Sequence, residues 1–386
     1  MKRILFFHDV FPCGGTERVT IDIANNLSPL GYEFFLLTCK KREDIDNIRV
    51  IELSDPDRNS QSNAEVFIDV INTYSIDVFV LPIHVLKHID FIIEQTHCKL
   101  VFALHSIPLW EAIGKIPTKQ RRARHSLSKR IELYLFSYPR KWLGIYDRRV
   151  LKLHDKIYRK ADAYVVLCEE YKNVLLRRLK LPVLNNKFRV IPNSEQAVEP
   201  VSCNKKKKVL FVGRLSYADK RVDRLIDIWG MIYQQVPDWE LVVVGDGEEE
   251  NALHLRVMEK KIGHIRFEGF QEDVSRYYRE ASVLCLTSTF EGWPLCLTEA
   301  QINGVVPVAF DCCAGIHQIL APSGVNGILV PPFNKQRFAK TLLKLLKSPE
   351  QLAAMKRNVL LKAEEYSPQI IGQKWMKLFE SLLEEK

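Results

Sequence analysis

Short β-branched and aromatic runs alternate with longer amphipathic stretches along most of this 386-residue chain. That alternation constrains the fold more than any other feature. A strand run, a helical period and a second strand run make a βαβ unit, and such units build parallel sheets covered by helices. In the first half the strand runs are Arg3–Phe7, Phe34–Thr38, Val78–Leu81, Leu100–Leu104, Ala163–Leu167 and Arg189–Ile191. Helical periods such as Thr16–Leu27 and Ala64–Tyr74 fit between them. The second half restarts the pattern with Val209–Val212, Leu241–Val244, Ile265–Phe267, Val283–Thr287, Val306–Phe310 and Ile328–Val330. These runs are almost continuously apolar, as strands buried on both faces require.

Between the halves, no strand or helix period fits the polar stretch from Asn193 to Lys208, which ends in four lysines. The expected division is a Rossmann-like domain over 1–193, a linker over 194–208 and a second Rossmann-like domain over 209–366. A final helix over 367–386 completes the chain. Ser367 suits its N-cap and Pro368 its first position. Its stripe of Ile371, Trp375, Leu378, Phe379 and Leu382 is expected to pack back across the first domain. The fold class is thus α/β, with two doubly wound domains facing a central cleft. Ligands of such sheets sit beyond the carboxyl ends of the strands.

Hydrophobic residues make up 47% of the chain, enough for two cores, which excludes disorder as the main state. No run reaches the roughly 18 apolar residues of a membrane span. Ile4 to Phe7 is apolar, but His8 and Asp9 follow at once, too soon for a signal-peptide core. A cytoplasmic location is expected. The nine cysteines read as reduced thiols, with no spacing that suggests a structural zinc.

Charge is concentrated in one place. Residues 114–160 hold fifteen Lys/Arg against three Asp/Glu, a net of +12 in a chain whose total is +9. Tyr134, Phe136, Tyr138, Trp142 and Tyr146 are interleaved with those cations. Basic residues mixed with aromatics suit an anionic membrane surface or a lipid-diphosphate acceptor, and the chain is expected to be peripheral on the inner face of a membrane. No nucleic-acid motif accompanies the charge, so nucleic acid is not an expected partner.

Residues with chemical potential follow the predicted strands. Gly14 and Gly15 precede the helix near Thr16, where glycine lets backbone N–H groups approach an anion; a plain βα turn fits them equally. Arg214 follows Gly213, and Lys220 comes six residues later, a fork and a point charge suited to a diphosphate. Glu291 and Glu299 bracket Gly292-Trp293-Pro294-Leu295-Cys296-Leu297-Thr298. The first carboxylate falls in a loop and the second in a helix, and both can bind vicinal hydroxyls. An acid set among Leu-Cys-Leu-Thr and Ala is costly unless it has a partner. His105 ends a strand run, where it could serve as a hydrogen-bonding or acid–base group, or simply cap the strand. Asp246, in Gly245-Asp246-Gly247, reads as turn chemistry.

Taken in order, Gly-Gly-Thr-Glu-Arg, Phe-Val-Gly-Arg-Leu with its following Lys, Val-Val-Gly-Asp-Gly and the spaced Glu pair resemble glycosyltransferase family 4. Gly304-Val305-Val306-Pro307-Val308 and Asn326-Gly327-Ile328-Leu329-Val330 extend the likeness, which runs from Cys13 to Val330. The resemblance implies a GT-B fold, an acceptor-binding first domain and a nucleotide-sugar-binding second domain. It also implies retaining transfer from a nucleotide-diphosphate sugar, with UDP the expected nucleotide. The acceptor would be a glycan or a lipid-diphosphate-linked glycan, in surface polysaccharide or glycoconjugate biosynthesis. Carried over by position, Arg214 and Lys220 would hold the diphosphate and Glu299 the ribose. Glu291 would contact the transferred sugar, and His105 would meet it from the first domain. Gly14, Gly15, Gly213, Gly292 and Leu295 would complete the donor site through their backbones. No cofactor or metal is implied. The Asp-x-Asp patterns, Asp44-Ile45-Asp46 and Asp55-Pro56-Asp57, do not directly follow a predicted strand. At Gly315-Ile316-His317-Gln318-Ile319 the chain departs from the family, which often carries Pro-Glu before the Ile. A GT-B sugar-nucleotide epimerase and a non-catalytic sugar-nucleotide or glycan-binding relative are the alternative readings.

Overall fold

The computed structural model describes residues 1–124, 126–196 and 205–384. Most of the expected linker, 197–204, and the last two residues of the expected final helix lie outside them.

The chain divides into two compact units. The first comprises Met1–Pro108, Arg148–Ser194 and Pro368–Lys386, and the second Leu109–Asp147 and Glu195–Ser367. In the first unit the strands are β1 (Lys2–Phe11), β2 (Tyr32–Lys41), β3 (Ile48–Glu52), β4 (Val78–Pro82), β5 (Lys99–Ala103), β6 (Ala163–Val166) and β7 (Phe188–Val190). They form one parallel sheet in the order β3-β2-β1-β4-β5-β6-β7. β3 is absent from the expected strands. Its sequence Ile-Arg-Val-Ile-Glu is short and half exposed at the sheet edge, so it lacks the continuous apolar run of the inner strands.

The helix Pro368–Glu384 belongs to the first unit. Ile371, Trp375, Leu378, Phe379 and Leu382 are buried in one core with Ile4 and Phe6 of β1, Phe34 of β2, and Val19 and Ile23 of the helix Gly15–Leu27. Gly372 lies close against Asn26, where an added Cβ would come within 3.2 Å. Burying a side chain as large as Trp375 contributes several kcal/mol at about 25 cal/mol per Å² of apolar surface, which ties this helix to the sheet.

The second unit repeats the plan with β8 (Lys208–Val212), β9 (Glu240–Val244), β10 (Ile265–Phe267), β11 (Val283–Leu286), β12 (Val306–Phe310) and β13 (Ile328–Val330). Its parallel order is β10-β9-β8-β11-β12-β13. Strand order reverses at β8, which lies between β9 and β11, so a crevice opens beyond the ends of β8 and β11. In the first sheet the reversal falls at β1, between β2 and β4.

The sequence reading puts the basic segment 114–160 wholly in the first domain, and the structure divides it. Residues 109–147 group with the second unit and 148–160 with the first. Charge pairs accompany the switch. Arg121 reaches Glu248 at 2.9 Å, Arg124 reaches Glu249 at 3.2 Å, and the Arg124 guanidinium stacks 3.4 Å from the Tyr217 ring centroid. In the first unit, Lys156 and Lys160 pair with Asp90. Acids distant in sequence therefore offset part of the net charge counted over the segment alone.

Candidate functional site

Three loops meet around the crevice of the second unit. The β8 loop leaves the sheet through Gly213 and carries Arg214 and Lys220 before the helix Val222–Gly230. Beside it runs the β9 loop, where Gly245 has φ +125° and an added Cβ would stand 2.2 Å from the Gly213 carbonyl oxygen. Only glycine allows the two backbones to come that close. The Gly213 N–H donates to Val244 and the Leu215 N–H to Asp246, at 3.0 and 2.7 Å. Asp246 thus serves this turn through its backbone carbonyl.

From the third loop, after β11, comes Glu291. Its Oε1 accepts from Lys220 Nζ at 2.7 Å and from Ser288 Oγ at 2.6 Å. The Lys220 and Glu291 side chains are only 16% and 10% exposed, so the pair is largely out of water. Burial opposes the charge on Lys220, but the Glu291 carboxylate and Asp219 outweigh it and hold the ammonium above its ordinary range. Arg214 is different: its side chain is 76% exposed and bonds Asp219 at 3.0 Å. Asp219 is anchored in turn by Ser216 and by its carbonyl, which accepts from the Thr289 N–H.

The helix Leu295–Ile302 starts after Gly292, the buried Trp293 and Pro294, which stands at its N-cap. Leu295 therefore opens the helix, where the first N–H groups have no carbonyl within the helix to bond. Glu299, one turn further on, accepts from the buried Tyr278 hydroxyl at 2.5 Å. Burial first, and then the charge of Glu299, push the Tyr278 pKa well up, so the phenol stays a donor. Thr298, next in sequence, reaches the fully buried Glu195 at 3.5 Å. Cys296 lies near both carboxylates, and burial pushes its thiol up to about 12, which makes it inert as a nucleophile near neutral pH.

The first unit holds a second cluster. Gly14, at φ +133°, precedes the helix that Gly15 opens, and Glu17 stands in its first turn. Glu17 Oε1 is 3.4 Å from His8 Nδ1, and His8 Nε2 is 2.8 Å from Thr20 Oγ1. Burial acts against the Glu17 charge, but His8 prevails and holds the carboxyl below its usual range. His105, two residues past β5, places Nδ1 2.8 Å from Asn193 Oδ1. Burial pulls its pKa down to about 4, against the Asn193 hydrogen bond, so the ring is neutral at pH 7. A neutral ring that donates from Nδ1 keeps Nε2 as an acceptor for a hydroxyl.

The Asp-x-Asp patterns are occupied locally. Asp44 pairs with Lys41, while Asp55 and Asp57 accept from backbone N–H groups of their own turn. Among the described residues, no three His, Cys, Asp or Glu side chains gather as metal ligands. His317, an exposed side chain on a half-buried helix, bonds Asp311 at 3.0 Å.

Sequence reasoning did not find His8, Glu17, Asn193, Tyr278, Ser288 or Glu195. Of these, Ser288 stands three residues before Glu291 and was findable by spacing. Glu17 stands within the Gly-Gly-Thr-Glu-Arg motif, in the first turn of its helix, and the others are brought in by tertiary packing.

Paired parallel Rossmann-like sheets, with polar clusters beyond their strand ends, define a GT-B glycosyltransferase fold. Residues 13–194 match the family described as Glycosyltransferase Family 4, and residues 193–360 match Glycosyl transferases group 1. The chain belongs to glycosyltransferase family 4. It is 29% identical over 383 residues to an uncharacterized glycosyltransferase of Haemophilus influenzae, covering 97% of this chain and 99% of that one. It is 30% identical over 235 residues to the amylovoran biosynthesis glycosyltransferase AmsD of Erwinia amylovora, covering 60% and 65% respectively. The Anabaena protein HepE, solved with UDP and glucose, superposes with a TM-score of 0.72 at 17% identity, covering 99% and 100%. At that identity the likeness is one of fold.

Proposed function

We propose that this protein transfers a sugar, with retention of anomeric configuration, from a UDP-sugar to a glycan or lipid-linked glycan during surface polysaccharide or glycoconjugate assembly. The observation that carries this reading is the buried Lys220–Glu291 pair at the β8/β11 reversal, with the exposed Arg214 beside it. Lys220 supplies a fixed positive charge and Arg214 a fork that can swing from Asp219 to a diphosphate. Glu299, fixed by Tyr278, receives the ribose hydroxyls, and Glu291 faces the transferred sugar. The first N–H groups of the Leu295–Ile302 helix meet the phosphates. His105, neutral at pH 7, accepts a hydrogen bond from a substrate hydroxyl.

The acceptor hydroxyl oxygen bonds to the anomeric carbon on the face from which the diphosphate leaves. The bond from that carbon to the diphosphate oxygen breaks and its electron pair departs with the phosphate. The hydroxyl proton passes to a leaving-group oxygen. Arg214 and Lys220 stabilise the negative charge as it develops, the role a metal ion has in other transferases. The reaction is accordingly proposed to need no metal. The UDP assignment draws support from HepE, which shares the fold and was solved with UDP. The assignment to polysaccharide assembly draws support from AmsD, named for amylovoran biosynthesis.

The anionic-membrane reading gains a specific surface. Leu127, Ile131, Leu135, Phe136, Trp142 and Leu143 are all exposed in the second unit, with Trp142 88% exposed. Lys129, Arg140 and Lys141 stand among them. Tyr146 does not share this role, because it is buried. Apolar and aromatic side chains among cations suit a peripheral contact with anionic headgroups. Among the described residues no helix is long and apolar enough to cross a membrane.

Incubation with nucleotide sugars labelled in the sugar tests the assignment. Transfer, or slow hydrolysis with release of UDP, supports it. An isomerised donor would point to an epimerase, and no turnover together with donor binding to a non-catalytic relative.

A further inference from the structure

A cavity of about 670 Å³ opens within the second unit between the helix Lys115–Ala123, the π turn Leu133–Ser137 and the β8 loop. Its wall carries Arg124, Arg130, Arg221 and Arg224 with Tyr138 and Tyr217, and no carboxylate among the described residues. The arginine forks are held in place. Tyr217 is flanked by Arg124 at 3.4 Å and Arg221 at 4.0 Å from its ring centroid. Such stacking fixes a guanidinium while leaving N–H groups at its edge to bond an oxyanion.

Two of these charges have acidic partners outside the wall: Arg221 forks onto Asp223, and Arg124 bonds Glu249. The other two bond only main-chain carbonyls among the described residues. Arg130 reaches Ala123 and Arg124 at 2.9 and 3.1 Å, and Arg224 reaches Thr287 at 3.2 Å. Burial, and then the neighbouring Arg221, pull the Arg224 pKa down to about 10. Asp223 and Glu249 offset part of this charge from outside the wall, and Asp223 also acts on Arg224, but the positive charge that remains, with no acid on the wall itself, favours a bound anion. Guanidinium forks match phosphate oxygens in pairs.

We propose that this cavity is an oxyanion subsite that holds the phosphate or diphosphate of the saccharide acceptor. The proposal rests on the glycosyl-transfer reading above and narrows its acceptor to one bearing such a group. Placement favours an acceptor over the donor's own diphosphate. Thr289 on the wall bonds Asp219, which adjoins Lys220, so the subsite flanks the donor residues without including Arg214 or Lys220. An acceptor anchored there by its oxyanion would have its hydroxyl held near the reacting sugar.

Inorganic pyrophosphate, titrated calorimetrically into protein saturated with UDP, is the test. The expected result is binding that weakens roughly tenfold or more in Arg224→Gln and in Arg124→Gln, and less in Arg224→Lys, with UDP affinity unchanged in all of them. Thermal unfolding of each variant checks that the fold is retained. Absence of pyrophosphate binding, displacement of pyrophosphate by UDP, or variants that bind it normally would overturn the proposal. If wild-type protein failed to bind UDP, the nucleotide-sugar reading alone would fall, since the cavity would still be read by pyrophosphate. Neutral-lipid vesicles with and without a polyprenyl diphosphate separate the sources. Retention only with the diphosphate lipid supports a lipid-borne group, and pyrophosphate binding without retention supports a soluble one.

Discussion

Lys220 and Glu291 each make the other tolerable. With both side chains largely buried, removing one partner strands a charge, a loss of about 3 kcal/mol or more. Lys220→Ala is therefore expected to lower turnover ~10²-fold or more and also to lower thermal stability. Arg214→Ala, at an exposed position, is expected to lower turnover comparably with stability nearly unchanged. Kinetics and unfolding curves on the same two preparations check both parts, and normal turnover in both variants would remove the diphosphate clamp. His105 gives a pH signature. Its pKa is about 4 in the fold and ordinarily 6.5, so the unfolded chain takes up a proton that the folded site rejects. The His105 contribution is complete above about pH 6.5 and is lost progressively as pH falls toward 4. Urea midpoints between pH 7.5 and 5 should drop more in the wild type than in His105→Gln. An equal drop would show that His105 titrates normally.

At the scale of elements, the β8 and β9 loops form one platform. Gly245→Ala would place a Cβ 2.2 Å from the Gly213 oxygen, in a backbone conformation at φ +125° that L side chains rarely adopt. It is expected to destabilise by about 2 kcal/mol or more and to weaken UDP binding, because the neighbouring loop carries Arg214 and Lys220. Thermal shift with and without UDP measures both effects, and an unchanged variant would show that the platform adapts. Most of this architecture is legible in the sequence. Inner strands such as β9 and β12 announce themselves because both faces are buried and nearly every residue is apolar. The edge strand β3 does not, and the basic segment's partners Glu248, Glu249 and Asp90 are brought near only by folding. The same limit applies to the site. Arg214, Lys220, Glu291 and Glu299 stand out by position after strands, whereas Tyr278 reaches Glu299 from a separate helix, with no local pattern to mark it.

For the whole molecule, the exposed apolar residues between Leu127 and Leu143, with the cations among them, should give binding to anionic vesicles at low salt that weakens at high salt. Trp142→Ser should reduce it, as measured by co-sedimentation. Equal binding to neutral lipid, or none to anionic lipid, would favour a soluble acceptor. We propose that this family 4 chain carries out retaining transfer by fixed positive charge instead of a metal ion. The decisive measurement follows an α-linked UDP-sugar by NMR with EDTA present. The expected result is release of UDP and a first-formed product in the α configuration, at a rate the chelator does not change. A β-configured product, isomerised donor without UDP release, or activity abolished by EDTA and restored by Mg²⁺ or Mn²⁺ would contradict it.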